Sequence, residues 1–161
     1  MKYCIDTSAL IDLGERHYPE RLALFEPIWQ HVYQEISNGN IISVDFVKNE
    51  LEEKADDWRA RFLQKADGMF HISADVEKEF AAIIREIEKR KEKFNTNKAR
   101  DRSMSGADLW VIALARNKAC TVISAETKKL ADYGIGAICR ELGVPHVNLV
   151  KFFEANKVGV K

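Results

Sequence analysis

Short apolar runs alternate with longer amphipathic segments along this chain. The runs are rich in apolar and β-branched residues and are bounded by polar or turn-forming residues, which is typical of buried strands. We therefore predict strands at five places: residues 2–5, 41–44, 70–72, 119–123 and 146–147.

Between these runs, apolar side chains recur every three or four residues, as on one face of an amphipathic helix. Predicted helices of this kind cover 20–37, 56–66, 106–117, 135–142 and 149–156, with others around 45–51 and 76–87. Thr7 or Ser8 can cap a further short helix through Leu13. We expect Gly14 to Pro19 to form a loop and the polar residues 95–104 to form a mobile loop.

Strands that alternate with helices predict an α/β fold, in which a central parallel sheet carries helices on both faces. This arrangement is a three-layer α/β/α sandwich. A chain of 161 residues is the size of one domain, so we predict a single domain over 1–161 with a helical excursion at about 56–103. Right-handed crossovers then bring the carboxyl ends of all strands to one edge of the sheet.

Composition narrows the class of protein only modestly. The chain has 25 Lys and Arg against 25 Asp and Glu, so its formal net charge is zero and any basic surface for nucleic acid must be local. Three cysteines without a Cys-x-x-Cys motif favour a reduced, cytoplasmic protein. We see no signal peptide and no apolar stretch approaching the roughly 18 residues of a membrane helix, so no membrane partner is expected.

Four acidic residues each follow an apolar run or begin the helix beside one: Asp6, Glu50, Asp108 and Glu126. The predicted topology places all four at the same edge of the sheet, where α/β folds bind ligands. Clustered carboxylates repel one another unless a cation neutralises them, and hard divalent ions prefer oxygen ligands. This pattern predicts a Mg²⁺ or Mn²⁺ site that is suited to phosphodiester chemistry.

Asp6 and Asp108 also have ordinary structural interpretations. Asp6 precedes a helix, where Asp is a favoured N-cap. Ser105 and Asp108 have the spacing of a capping box, which places Asp108 at the third helical position and in favourable contact with the helix dipole. A carboxylate in either role still lies at the edge of the sheet where the strands have their carboxyl ends.

Glu50 and Glu126 have surface interpretations. Glu50 lies in a charged helical segment, where Glu52 and Glu53 compete with it for any role in a site. Its position favours it, because it flanks Val47 and Leu51, which point to the core. Glu126 can simply be an acid in the first turn of a surface helix.

One stretch, residues 85–102, is locally basic and leads directly to Asp108. Residues expected to contact substrate are Lys98, Arg100 and Arg102 from this stretch, together with Ser8 and Ser124. The alternative for the stretch is a solvated helix end with pairs such as Glu86 with Arg90. Phe94 and Trp110 could stack on bases, although core packing is favoured for Trp110.

Four segments resemble the PIN-domain nucleases. They are Asp6-Thr7-Ser8-Ala9-Leu10-Ile11, Val47-Lys48-Asn49-Glu50-Leu51, Ser105-Gly106-Ala107-Asp108 with the apolar helix that follows it, and Val122-Ile123-Ser124-Ala125-Glu126. The resemblance spans nearly the whole chain in the expected order. It departs from the family at the fourth acid, which is usually Asp, and in the longer stretch between about 56 and 103.

The resemblance implies a PIN-like α/β/α sandwich and a metal-dependent endoribonuclease. In that class Asp6, Glu50 and Asp108 would be the core metal ligands, and Glu126 would help to hold a second ion or orient the attacking water. A metal-activated water would cleave RNA to leave 5′-phosphate and 3′-hydroxyl ends. Single-domain members of this size resemble VapC-type toxins, which are homodimers silenced by a small antitoxin protein.

Two other classes of function remain open. A phosphatase or phosphotransferase of the haloacid-dehalogenase type would use Asp6 as a nucleophile, but such enzymes carry Asp-x-Asp and this chain has Ser8 at the second position. The other alternative is a catalytically inactive PIN-like module that binds RNA or protein. The presence of all four carboxylates argues against it.

Overall fold

A computed structural model describes residues 1–54, 56–90, 107–125 and 134–158. Its five strands are β1 Tyr3–Ile5, β2 Ile41–Val44, β3 Phe70–His71, β4 Thr121–Ile123 and β5 His146–Val147. They form one sheet in the order β3-β2-β1-β4-β5, and each neighbouring pair is parallel. The five predicted strands and their parallel arrangement are confirmed. The predicted loop at 95–104 lies outside the described residues.

Helices flank this sheet, and the predicted α/β/α class is confirmed. The α-helices are α1 Thr7–Ile11, α2 Glu26–Ser37, α3 Asp45–Glu52, α4 Asp57–Lys65, α5 Ala74–Lys89, α6 Asp108–Lys118, α7 Ile135–Leu142 and α8 Leu149–Ala155. A π-helix covers Asp12–His17, and short 3₁₀ turns cover Ala23–Phe25 and Asp67–Met69. Asp56, Ser73 and Asn148 cap α4, α5 and α8 by accepting backbone N–H bonds.

The strand order creates a switch point beside β1. From β1 the chain builds outward through β2 and β3, and it then returns to add β4 and β5 on the other side. Helices after β1 and β4 therefore diverge, leaving a crevice at the carboxyl ends of these two strands. Ile5 pairs with Ile123 in register, and the Asp6 N–H donates to the Ile123 carbonyl at 2.9 Å. Both strands thus end at the same level.

Three local predictions were wrong. Residues 14–17, predicted as part of a loop from Gly14 to Pro19, belong to a π-helix, Asp12–His17. The helix predicted over 20–37 begins at Glu26, because Pro27 lacks an N–H and is tolerated only in a first turn. Asp6 rather than Thr7 or Ser8 occupies the N-cap position of α1, and it has no capping hydrogen bond from its side chain.

The core is built around β1 and α6. All of β1 is buried, and α6 buries nearly every residue from Leu109 to Ala115. Trp110 stacks on Phe80 with ring centroids 3.9 Å apart and on Phe46 at 4.7 Å. Core packing of Trp110 is therefore confirmed. None of the described helices is long and apolar enough to cross a membrane.

Candidate functional site

A cavity of about 260 Å³ opens at the carboxyl end of β1. It is lined by Asp6, Thr7, Ser8, Ile11, Arg16, Glu50 and Asp108. Three of the four predicted carboxylates therefore line one cavity at the carboxyl end of β1. The fourth, Glu126, lies outside the described residues, as do Lys98, Arg100 and Arg102.

The Asp6 carboxylate is buried and held from one side. Its residue is only 4% exposed, and the Ser8 hydroxyl donates to Asp6 Oδ2 at 2.8 Å. The same Ser8 oxygen accepts the N–H of Ala125 at 3.1 Å. Ser8 therefore links the acid after β1 to the chain after β4, and it fixes one orientation of the carboxylate.

Glu50 reaches the cavity from α3. Its Oε1 accepts the backbone N–H of Ala107 at 2.8 Å, directly before the first residue of α6. A carboxylate at this position also meets the positive end of the helix dipole. Glu52 and Glu53 are exposed and do not line the cavity. Of the three neighbouring acids, only Glu50 shares the cavity with Asp6.

Asp108 is the first residue of α6. The sequence had suggested the third helical position, so that prediction was wrong. Its proposed capping partner, Ser105, lies outside the described residues. A first-turn acid is stabilised by the dipole in either position, and Asp108 lines the cavity with Asp6 and Glu50.

Burial raises the pKa of Asp6 from 3.8 to about 6. The hydrogen bond from Ser8 opposes this shift, and the negative charge of Glu50 reinforces it. Desolvation disfavours the ionised form of an acid, and a neighbouring like charge does the same. The fold therefore holds a carboxylate where its charge is unfavourable without a nearby cation.

Thr7 supplies a second unusual group in the cavity lining. It is 8% exposed, and its buried Oγ1 has no hydrogen-bond partner among the described residues. Buried hydroxyls are normally hydrogen-bonded, so this one is an uncompensated polar group beside the carboxylates. The sequence pattern missed Thr7 because a Thr at the start of a helix suggests only a cap.

The cavity fits a divalent ion by its donor chemistry, although its carboxylates do not form a complete cage. Within the described ranges, no three Asp, Glu, His or Cys side chains are arranged to hold a metal ion. The Ser8 hydroxyl donates to the Asp6 carboxylate and the Ala107 N–H donates to the Glu50 carboxylate, and these bonds orient both groups. Mg²⁺ keeps several waters and commonly uses one or two carboxylates plus substrate oxygens, so a complete cage is unnecessary.

Other predicted contacts lie elsewhere. Ser124 is fully buried, and its hydroxyl is 2.6 Å from His146 Nε2, so it does not join the cavity lining. The pair of Glu86 with Arg90, given above as an example of the alternative for the basic stretch, does not form. Arg90 instead donates to the Glu141 carbonyl at 2.6 Å, and Glu86 pairs with Arg116 at 2.7 Å. Those pairs join α5 to α7 and α6, because the tertiary partners lie closer than the helical neighbour.

We expect Thr7→Val to stabilise the metal-free protein by about 1 kcal/mol, because the change removes an unbonded buried hydroxyl at nearly constant shape. Urea unfolding of the chelator-treated protein measures this difference. Thr7→Ser keeps the hydroxyl and serves as the control. A loss of stability in Thr7→Val that Thr7→Ser does not share would show that the hydroxyl has a bonding partner.

The fold of the chain is PIN-like. It matches a chain of the crystal structure of VapBC2 from Rickettsia felis bound to a DNA fragment from their promoter, with a TM-score of 0.51 and 13% identity. The match covers 92% of this chain and 98% of that one. The likeness at this identity is one of fold alone.

The chain itself belongs to the family described as Domain of unknown function (DUF4411), whose model matches residues 3–160. Comparison with curated proteins gave no match.

Proposed function

We propose that this protein is a metal-dependent endoribonuclease. The observation that carries the proposal is the set of three carboxylates, from Asp6, Glu50 and Asp108, around one cavity at the carboxyl end of β1 in a PIN-like sheet. Three acids from three separate segments meet where α/β folds bind ligands. A protein that needed only caps or surface charges would have no reason to bury Asp6 beside Glu50.

The carboxylates of Asp6, Glu50 and Asp108 would hold Mg²⁺ or Mn²⁺, with the Thr7 hydroxyl beside them. Such an ion supplies a nucleophilic water at neutral pH and stabilises charge on phosphoryl oxygens. Ser8 keeps the Asp6 carboxylate facing the cavity, and α6 holds Glu50 through the Ala107 N–H. Glu126 would be a fourth acid in this site.

The role of the nuclease is proposed to be that of a toxin in a toxin–antitoxin pair. The support is the PIN-like fold shared with a chain of VapBC2, over 98% of that chain. A homodimer and a small antitoxin protein as partner belong to this proposal, as does a cytoplasmic location. Growth arrest on induced expression, relieved by a neighbouring small gene, is the matching test.

Two acids on α3 provide a matched test of the nuclease. We expect Glu50→Gln to lower the rate of RNA cleavage at least a hundredfold, because a carboxylate ligand is lost. Glu52→Gln removes the same charge from an exposed side chain two residues away and should cleave like wild type. The measurement is cleavage of a labelled single-stranded RNA with Mn²⁺ and with a chelator.

Glutamine retains an oxygen that can accept the Ala107 N–H, so Glu50→Gln should keep the fold. Equal rates of RNA cleavage by the two variants would contradict the assignment of Glu50 as a metal ligand. If wild type cleaves no RNA and calorimetry detects no Mn²⁺ binding, the alternative of an inactive PIN-like binding module for RNA or protein takes its place.

A further inference from the structure

Arg16 is the one positively charged residue among those described that line the acidic cavity. Its Nη1 lies 3.2 Å from Asp12 Oδ1, one helical turn earlier, and its side chain is 65% exposed. The Asp12 side chain is 15% exposed, and a pair between helical neighbours at the surface contributes little to stability. The guanidinium can therefore leave Asp12 for a stronger anionic partner in the cavity at little cost.

The segment that carries Arg16 is a π-helix, Asp12–His17, directly after α1. This wider helix is rare and is frequently found at functional sites. Here it extends the α1 segment, which already carries Thr7, Ser8 and Ile11 into the cavity lining. Asp6 and Arg16 thus come from the two ends of one continuous helical segment.

Two residues of α4, Trp58 and Arg59, contact the π-helix on the side away from Arg16. Gly14 packs directly under the Trp58 ring, since a Cβ at Gly14 would overlap that indole. Glu15 forms a paired hydrogen bond with Arg59, whose side chain is 8% exposed. The segment therefore has two neighbours with different roles: Gly14 and Glu15 face α4, and Arg16 faces the cavity.

We propose that Arg16 binds a phosphate of the RNA chain next to the scissile bond. This inference rests on the proposed nuclease function. Three carboxylates repel a polyanionic substrate. A metal ion bound by them would neutralise the phosphate at the scissile bond but not the negative charge of the neighbouring phosphate. The flat guanidinium presents two parallel N–H groups to a phosphate. The contacts with α4 fix the backbone of the π-helix before substrate binds.

The test compares Arg16→Ala, Arg16→Lys and Arg61→Ala. Arg61 is exposed on α4 and does not line the cavity, so it removes the same charge as a control. The readouts are the RNA concentration that half-saturates cleavage with Mn²⁺, and binding of a fluorescent single-stranded RNA by Asp6→Asn carrying each change. Both are measured across a range of salt concentrations.

We expect Arg16→Ala to raise the half-saturating RNA concentration about tenfold. The slope of log affinity against log salt should become shallower by about 0.7, the value for one phosphate contact on a single strand. Arg16→Lys should keep the slope but bind RNA more weakly, because the positive charge remains and the two parallel N–H donors of the guanidinium are lost. Arg61→Ala should match the parent. A merely structural role would lower thermal stability without changing the slope.

Unchanged affinity and slope in Arg16→Ala, with wild-type cleavage intact, would overturn this inference and leave the nuclease standing. RNA binding that depends on Arg16 in a protein that cleaves nothing would support the phosphate contact of Arg16, and it would overturn the nuclease and the position beside a scissile bond. Absence of both cleavage and RNA binding would overturn both.

Discussion

Asp6→Asn is expected to abolish RNA cleavage and, at the same time, to stabilise the metal-free protein by about 3 kcal/mol at pH 7. The gain follows from the pKa of Asp6, which burial and the charge of Glu50 raise from 3.8 to about 6. At pH 7 the folded wild type holds an unfavourable charge that the amide would not carry. An amide oxygen can still accept the Ser8 hydroxyl, so the local structure should remain.

The pH dependence has a definite sign. Below about pH 4 both folded and unfolded states protonate Asp6, and its contribution vanishes. Between about pH 4 and 6 the folded state binds the extra proton, so the stability of the wild type falls as pH rises. Above about pH 6 the full cost is present. The difference between Asp6→Asn and wild type should therefore grow from near zero at pH 3.5 to its maximum by pH 7.

Urea unfolding of both proteins with a chelator at several pH values measures this difference. Added Mn²⁺ should narrow the gap at pH 7, because an ion that binds the folded wild type stabilises it. A variant that is less stable than wild type at pH 7 would show that the Asp6 carboxylate is already compensated within the folded chain. An active variant would remove Asp6 from the metal site.

Gly14→Ala is expected to destabilise the protein by about 3 kcal/mol, because the added methyl group would overlap the Trp58 indole. Trp58 is buried and packs against Trp29 and Phe62, so the ring cannot move without disturbing that cluster. For a domain of this size the change corresponds to a fall of about 10 °C in Tm. Thermal unfolding followed by circular dichroism measures it.

Gly68→Ala is the matched control. A Cβ at Gly68 meets nothing within 4 Å, so this change should be within about 0.5 kcal/mol of wild type. Trp58→Phe removes the ring atoms that the new methyl group would strike. The double variant should therefore be at least 1 kcal/mol more stable than the sum of the single changes predicts. Additive changes in the free energy of unfolding would show that the methyl group at position 14 and the Trp58 ring do not clash.

The layout of the cavity could be predicted only in part from the acids alone. Asp6 and Glu50 were placed correctly at one edge because each follows a strand, and parallel strands end on the same side of a sheet. Thr7 and Arg16 were missed. Thr7 is unusual only through its buried, unbonded hydroxyl, and that property depends on packing rather than on residue type.

The secondary structure was likewise predictable where it depends on local sequence and not where it depends on packing. Local rules gave the strands and most helices, because the period of apolar residues is a local signal. They failed at residues 14–17, where a loop was expected from Gly14. Gly14 lies there because Trp58, more than 40 residues later in the chain, needs the space. No local propensity contains that information.

The sequence by itself determined the α/β class, the five strands and the resemblance to PIN domains, since these depend on periodicity and short motifs. Only the tertiary structure decided the strand order β3-β2-β1-β4-β5 and the pairing of Arg90 with Glu141. It also placed Arg16 in the acidic cavity. These features depend on which side chains meet after distant segments pack, and burial and electrostatics act on neighbours in space rather than along the chain.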